Sequence, residues 1–339
     1  MRFSIFSVND HYPPEKFPGF TRTVADIYRE ISDQAALADQ LGYDTFFVAE
    51  HHFHEYGAIP NAAIMMAHLA NHTQRIRVGS AISVLTLHNP LEVAENFAMV
   101  DVLSGGRLFL GVGSGYLKHE FEGYGIPQEE KRDRFDENLE IVTRLLAGER
   151  LTYHGKYSHI DAVRLNVLPL QKPPMIAVAI LRREAAFHVG RAGHAIISVP
   201  YASVDGWADV AQVVDEFKRG RAEAGKPYQP GDAVVSLHTH VAETDERAHT
   251  LAADPFDLYV KTRLYARRQT YDDILRSGLS LFGSVDRVVD KVVELHQMGV
   301  DHLMTQHYFG GLAPEHVAHS MRLFALEVMP RVRVKLSKT

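Results

Sequence analysis

The side chains best suited to chemistry stand together in Glu50-His51-His52-Phe53-His54-Glu55, directly after the apolar run Phe46-Phe47-Val48-Ala49. Imidazole changes charge near neutral pH, at a pKa of about 6.5, so it can carry protons, and in its neutral form it ligates metals. Carboxylates beside it can orient it. Proton transfer, orientation of a substrate and metal ligation all fit this set, as does a polar loop whose side chains only hydrogen-bond. Successive residues of an extended strand face opposite ways, so His51 and His52 should point in different directions. A second H-x-H, His238-Thr239-His240, reads as solvated or core-edge histidines at the end of another strand. No other cluster matches the first as a metal site, and no metal is expected.

Three further motifs accompany the histidines. Gly111-Val112-Gly113-Ser114-Gly115-Tyr116 follows a strand-like run, and glycines there let a ligand approach the backbone or simply make a tight turn. His88-Asn89-Pro90 is a helix start, with Asn as the cap and Pro in the first turn. Arg182-Arg183 opens another helix. Two guanidiniums beside free helix amides could hold an anion, or they could be a solvated basic pair.

These motifs need elements to position them. Ile27, Ile31, Ala35, Ala38 and Leu41 form one helical stripe, stopped by Gly42. Phe135, Leu139, Val142 and Leu146 form another, as do Val317, Met321, Phe324 and Val328. Leu41-Gly42-Tyr43-Asp44-Thr45-Phe46 and Met298-Gly299-Val300-Asp301-His302-Leu303 repeat one joint: helix, glycine stop, turn, strand. The candidate strands are Phe3–Val8, Thr45–Ala49, Ile76–Ile82, Leu108–Val112, Met175–Ala179, Ala195–Val199, Ala233–His238 and His302–Gln306. Eight strands alternating with helices predict a (β/α)8 TIM barrel over residues 1–339. Insertions are expected near 151–174, hairpin-like, and near 247–281, helical, both at the C-terminal face. A doubly wound sheet is the rival fold. No GxGxxG or GxxxxGK[ST] follows the first strand, which counts against it. In either α/β fold, the C-terminal strand ends are where chemistry is kept.

Composition narrows the function. The chain has 339 residues, 46% hydrophobic, with a net charge of -6 and no basic block, so nucleic acid is not an expected partner. It contains no cysteine, which excludes disulfides, thiolate metal sites and cysteine nucleophiles. No apolar stretch of about 18 residues predicts a membrane span, and Met1-Arg2-Phe3-Ser4 lacks a signal-peptide core. A cytoplasmic protein is expected.

Taken in order, Ala49-Glu50-His51-His52-Phe53, Arg77-Val78-Gly79-Ser80-Ala81-Ile82, His88-Asn89-Pro90, Leu103-Ser104-Gly105-Gly106-Arg107 and Gly111 to Tyr116 resemble the bacterial luciferase-like flavin-dependent monooxygenases. The tail from Gly283-Ser284 to Phe309-Gly310-Gly311-Leu312 is similar to that family's last βα unit. The resemblance implies the same barrel, reduced FMN delivered by a separate flavin reductase, and O2 activation through a flavin C4a-(hydro)peroxide acting on a small organic substrate. It assigns the catalytic role to His51. It places a cis peptide at Ala81-Ile82 and the flavin ring on the Ala81-Ile82-Ser83 edge, beside Gly113, Ser114, Gly115 and Tyr116. Tyr116 and Phe6 are candidate pocket walls, and a homodimer is expected. Two positions depart from the pattern. Ser114 stands where many members carry Arg. Ile180-Leu181-Arg182-Arg183-Glu184-Ala185 lacks the hydroxyl that holds the FMN phosphate. Either Arg182 and Arg183 hold it instead, or FMN binding is weak, or the cofactor is the deazaflavin F420 in a hydride-transfer enzyme. A metal-dependent barrel hydrolase and a non-catalytic flavin-binding or partner subunit complete the alternatives.

Overall fold

A computed structural model describes residues 1–55, 57–264 and 269–338. Eight parallel strands close into a barrel: β1 (Arg2–Ser7), β2 (Thr45–Val48), β3 (Arg77–Ser80), β4 (Leu108–Gly113), β5 (Ile176–Ile180), β6 (Ala195–Ser198), β7 (Ala233–Ala242) and β8 (His302–Tyr308). Pairing runs in chain order, and β8 returns to β1 with Phe3 against Leu303. This is the expected (β/α)8 barrel. Its strands are buried on both faces because helices cover the outer face while side chains fill the inside; β2, β5 and β6 are mainly apolar, whereas β7 and β8 carry several buried polar residues. All four residues of β2 and all ten of β7 are buried.

The helices used below are α1 (Val24–Leu41), α2 (Ala62–His72), α3 (Pro90–Leu103), α4 (Lys118–Tyr124), α5 (Lys131–Leu146), α6 (Arg183–Ala192), α7 (Pro200–Ser203), α8 (Asp209–Glu223) and α9 (Asp245–Thr262). Helix α1 opens on a reciprocal Thr23–Asp26 capping box and stops at Gly42, whose φ of 78° is left-handed. That stop turns the chain into β2 and so fixes where Glu50 and His51 emerge. Asn89 caps α3 through Leu91 N–H, with Pro90 in its first turn. No helix among the described residues is long and apolar enough to cross a membrane.

Two strand boundaries differ from the sequence reading. The third strand ends at Ser80, the Ala81–Ile82 peptide is cis, and a short strand, Ser83–Val84, then pairs with β4. The seventh strand continues past His238 to Ala242 because a further strand, Ser280–Ser284, pairs with His238–Ala242. The first two residues of that partner strand, Ser280 and Leu281, were expected to end the helical insertion near 247–281. The helices there are α9 and Tyr271–Ser277, and the chain is already extended by Ser280. Residues 151–163 form a two-stranded antiparallel pair, Leu151–His154 with His159–Val163.

Strands β3 and β4 approach closely where the site begins. Ser80 Oγ donates to Gly111 O at 2.7 Å and accepts from Gly111 N at 3.1 Å. A Cβ added at Gly111 would lie 2.0 Å from the Ser80 carbonyl oxygen. Gly111→Ala is therefore expected to destabilise the fold by about 1–3 kcal/mol, since neither backbone can yield without breaking the ladder. A melting temperature equal to that of the parent protein would contradict this packing.

Candidate active site

Glu50 leaves β2 into a buried pocket, and its Oε1 accepts three hydrogen bonds. His88 Nε2 donates at 2.8 Å, Val84 N–H at 3.0 Å and His52 Nε2 at 3.3 Å. Burial alone would push this carboxyl up. The imidazoles of His52 and His88, the charge of His88 and the Val84 amide outweigh it and hold the pKa at about 2. His88 is the mirror case: burial pushes it down, and the bond and charge of Glu50 raise it above its ordinary value. Glu50 and His88 thus form an ion pair whose acid is 2% exposed. The ligating atoms of Glu50, His52 and His88 lie within 4.8 Å of one another, so the cluster has the donor set of a cation site. As it stands, the carboxylate is already neutralised by protein donors.

His52 continues the network outward. With Nε2 donating to the ionised Glu50, Nδ1 accepts from the Tyr124 hydroxyl at 3.2 Å. Burial first, then Glu50 and Glu120, raise the Tyr124 pKa, keeping it a donor. His119 Nε2 donates to the His52 carbonyl at 3.0 Å. Both partners come from α4, so this short helix pins the segment after β2.

His51 and His52 lie past the end of β2, so strand alternation does not apply to them, and the His51 side chain meets a different carboxylate. Its Nδ1 lies 3.3 Å from Glu120 Oε1, which also accepts His52 N–H at 3.0 Å. Glu120 is a buried residue of α4. A carboxylate on Nδ1–H selects the tautomer whose Nε2 can accept a proton. Behind the ring, Gly57 leaves no room for a side chain: a Cβ there would lie 2.4 Å from His51 Cβ. Supporting bonds of this kind typically matter 10–100-fold. Glu120→Gln is expected to lower any turnover that uses His51 by about that factor, and Glu120→Asp to recover part of it. Full activity in Glu120→Gln would show that the pair does not orient His51.

Beside His51, solvent reaches the strand ends on one side of the mouth. Ala81, Ile82, Ser114, Tyr116, Ala179 and Val199 are partly exposed. Ala81 just past β3, Gly113 at the end of β4 and Ala179 one residue before the end of β5 carry small or absent side chains. A Cβ at Gly113 would lie 2.2 Å from Ile82 Cδ1, so Ile82 covers that glycine and makes the edge. Thr86 Oγ1 donates to Ser114 O at 3.0 Å and Gln128 Nε2 to Tyr116 O at 3.1 Å, fixing a turn in which Gly115 has a φ of 72°. Ser83 lies behind this edge, where it is buried and lines a cavity of about 50 Å³ with Glu50, His88 and Asn96. Phe6 is buried at 8% exposure.

Arg182 is the N-cap position of α6, and no side chain caps that helix. Arg182 and Arg183 are both exposed, and the Arg183 guanidinium bonds Gln212 of α8. His238 and His240, read as solvated or core-edge, are each 1% exposed. They lie inside a strand covered on both faces, because the pairing with Ser280–Ser284 extends β7 past them. Sequence reasoning missed two participants. His88 was visible only as part of a helix start. Glu120 had a signal: Leu117, Glu120 and Phe121 share one helix face, and two of the three are apolar.

The model of the luciferase-like monooxygenase family matches residues 1–302. The chain is 28% identical over 327 residues to 4-hydroxyprotoasukamycin monooxygenase of Streptomyces nodosus subsp. asukaensis, covering 90% of this chain and 86% of that one. It is 26% identical over 227 residues to an F420-dependent glucose-6-phosphate dehydrogenase of Amycolatopsis mediterranei (strain U-32), covering 65% and 67%. Its fold is that of the oxygenating constituent of 3,6-diketocamphane monooxygenase from Pseudomonas putida, solved with FMN. The TM-score is 0.84 at 20% identity, over 98% of this chain and 99% of that one.

Proposed function

The chain belongs to the luciferase-like monooxygenase family, and from that premise we propose that it is a flavin-dependent monooxygenase using reduced FMN and O2 on a small organic substrate. The observation that carries this reading is the pairing of His51 with buried Glu120 at the end of β2, next to the partly exposed edge Ala81-Ile82. An oxidoreductase needs both a place for a flat cofactor and a positioned proton carrier beside it.

The residues present fit a flavin. Ala81 and the Ile82 side chain, which lies over Gly113, offer a partly exposed apolar edge, bordered by Ser114, Gly115 and Tyr116. Arg182 and the uncapped first turn of α6 would hold a phosphate, by charge and by free N–H groups. Reduced FMN, when bound, supplies the two electrons that activate O2. His51 holds or delivers a proton through Nε2, while Glu120 retains Nδ1–H. His52, Glu50 and His88 keep the loop after β2 from moving. Tyr116 walls the pocket against water. Reduced flavin would come from a separate flavin reductase, and the working unit would be a cytoplasmic homodimer.

Hydride transfer with F420 is the second reading. It is favoured by the F420-dependent relative and by the missing hydroxyl in Ile180-Leu181-Arg182-Arg183. Anaerobic titration with reduced FMN and with reduced F420 separates the two. The monooxygenase reading expects reduced FMN to bind at least about tenfold more tightly, a difference of about 1.4 kcal/mol. The reverse order would overturn it.

A further inference from the structure

At the end of the barrel away from His51, a cavity of about 430 Å³ opens among Arg2, Asp39, Asp44, Arg75, Arg77 and Arg333. Arg2 is the first residue of β1 and Arg77 the first of β3. Asp44 directly precedes β2, and Arg333 lies in the last helix, Met329–Leu336. The cavity therefore sits at the N-terminal ends of the strands, whereas His51 and the Ala81-Ile82 edge follow their C-terminal ends. Its lining holds four guanidiniums and two carboxylates, an excess of two positive charges.

The carboxylates are committed elsewhere. Asp39 accepts Gln74 N–H at 2.8 Å, Arg75 N–H at 3.0 Å and Ile76 N–H at 2.8 Å. Asp44 Oδ1 accepts the Thr45 hydroxyl at 2.8 Å. Further out, Asp232 is paired with Arg221, and Asp301 accepts the Tyr228 hydroxyl and Gly231 N–H. Among the described residues, Arg2, Arg75, Arg77 and Arg333 make no ion pair with a carboxylate. Arg75 and Arg77 each have a structural bond. Arg75 donates to Asp39 O, at the C-terminal end of α1, at 3.0 Å. Arg77 donates to Leu108 O at 2.8 Å and lies 4.9 Å over the Phe109 ring. Arg2 and Arg333 are exposed, and among the described residues their guanidiniums have no hydrogen-bond partner. Arg2 is held over Gly231, where a Cβ would lie 2.9 Å from its Nη1. Burial lowers the Arg77 pKa, Asp44 opposes this, and the charge of Arg2 adds to it, so the two guanidiniums are near enough to repel. An anion between them would replace that repulsion with attraction.

The donors define the anion. Guanidinium forks match phosphate oxygens in pairs. Here the forks come from separate segments around one cavity, so they can grip two joined phosphates from several sides. Phe3 and Tyr43 belong to the lining but are 3% and 4% exposed, and offer no open ring on which a base could stack.

We propose that Arg2, Arg75, Arg77 and Arg333 form a binding site for a diphosphate group, at the opposite end of the barrel from the flavin position. The proposal does not depend on the oxygenase reading. The test is calorimetric titration of the full chain with inorganic pyrophosphate, in the presence of excess oxidised FMN and at fixed ionic strength, since salt screens exposed arginines. Pyrophosphate should bind at one site per chain and raise the melting temperature. Arg2→Gln and Arg333→Gln should each weaken binding about tenfold, the worth of one charge-assisted bond. Because neither side chain bonds the protein, both variants should melt no lower than the parent without pyrophosphate, and gain less from it. ADP in place of pyrophosphate separates the sources. Equal affinity supports the diphosphate end of a nucleotide, and exclusion of ADP supports the free inorganic anion. No binding of pyrophosphate, parental affinity in both variants, or sulfate or citrate binding as tightly would overturn the proposal. So would binding that vanishes when FMN is present or in Arg182→Gln, which would place the anion at the cofactor-phosphate position instead.

Discussion

Replacing His51 by alanine is expected to reduce turnover of reduced FMN and O2 by about 10²–10⁴-fold, the usual worth of a positioned acid–base group, while flavin affinity stays nearly unchanged. The reason is geometric. His51 is partly exposed three residues past β2, whose last residue, Val48, bonds Ala81, and a buried carboxylate holds its Nδ1. The proposed flavin edge at Ala81 and Ile82 follows another strand, β3, and survives the change. Single-turnover kinetics together with equilibrium flavin binding check both halves. Unchanged turnover would remove His51 from the chemistry. A parallel loss of flavin binding would make it a cofactor contact.

The second large effect is on stability. Glu50→Ala is expected to destabilise the protein by about 3–5 kcal/mol, because it strands the His88 charge and the Val84 amide in a buried site. The effect should depend on pH in two directions. Glu50 has a folded pKa of about 2 against an ordinary 4.5, so its contribution is present above 4.5 and is lost as pH falls from there toward 2. His88 is raised above its ordinary 6.5, so its contribution is full below 6.5 and is lost as pH rises through the folded value. The stability gap between parent and Glu50→Ala should therefore be widest between pH 4.5 and 6.5, and narrow on both sides. Urea unfolding across this range measures it, and a gap independent of pH would contradict the ion pair.

The barrel was legible because strands such as β2, β5 and β6 are mainly apolar on both faces and its joints repeat, as at Leu41-Gly42 and Met298-Gly299. The Glu50-His51-His52 segment announced itself by an abrupt change from apolar to titratable residues. Pairings between distant segments were not legible. Nothing local in Ser280–Ser284 says that it adds to β7, and without that pairing His238 and His240 look like strand-end residues. Glu120 stands 69 positions from His51 in the chain, and the two meet only because α4 folds back over the loop after β2. His88 looked complete as a residue preceding a capped helix, since its second bond, to Glu50, comes from another βα unit. The grouping of Arg2, Arg75, Arg77 and Arg333 likewise exists only once the last helix packs beside the starts of the first strands.

The most direct test of the account is oxygen uptake by the purified protein with reduced FMN generated continuously by a flavin reductase. The account predicts that the protein binds the reduced flavin and that its reaction with O2 proceeds at a rate distinct from that of free reduced FMN. That rate should collapse toward the free value in His51→Ala. Reoxidation indistinguishable from free flavin, combined with hydride transfer to or from F420 without any O2 consumption, would contradict it.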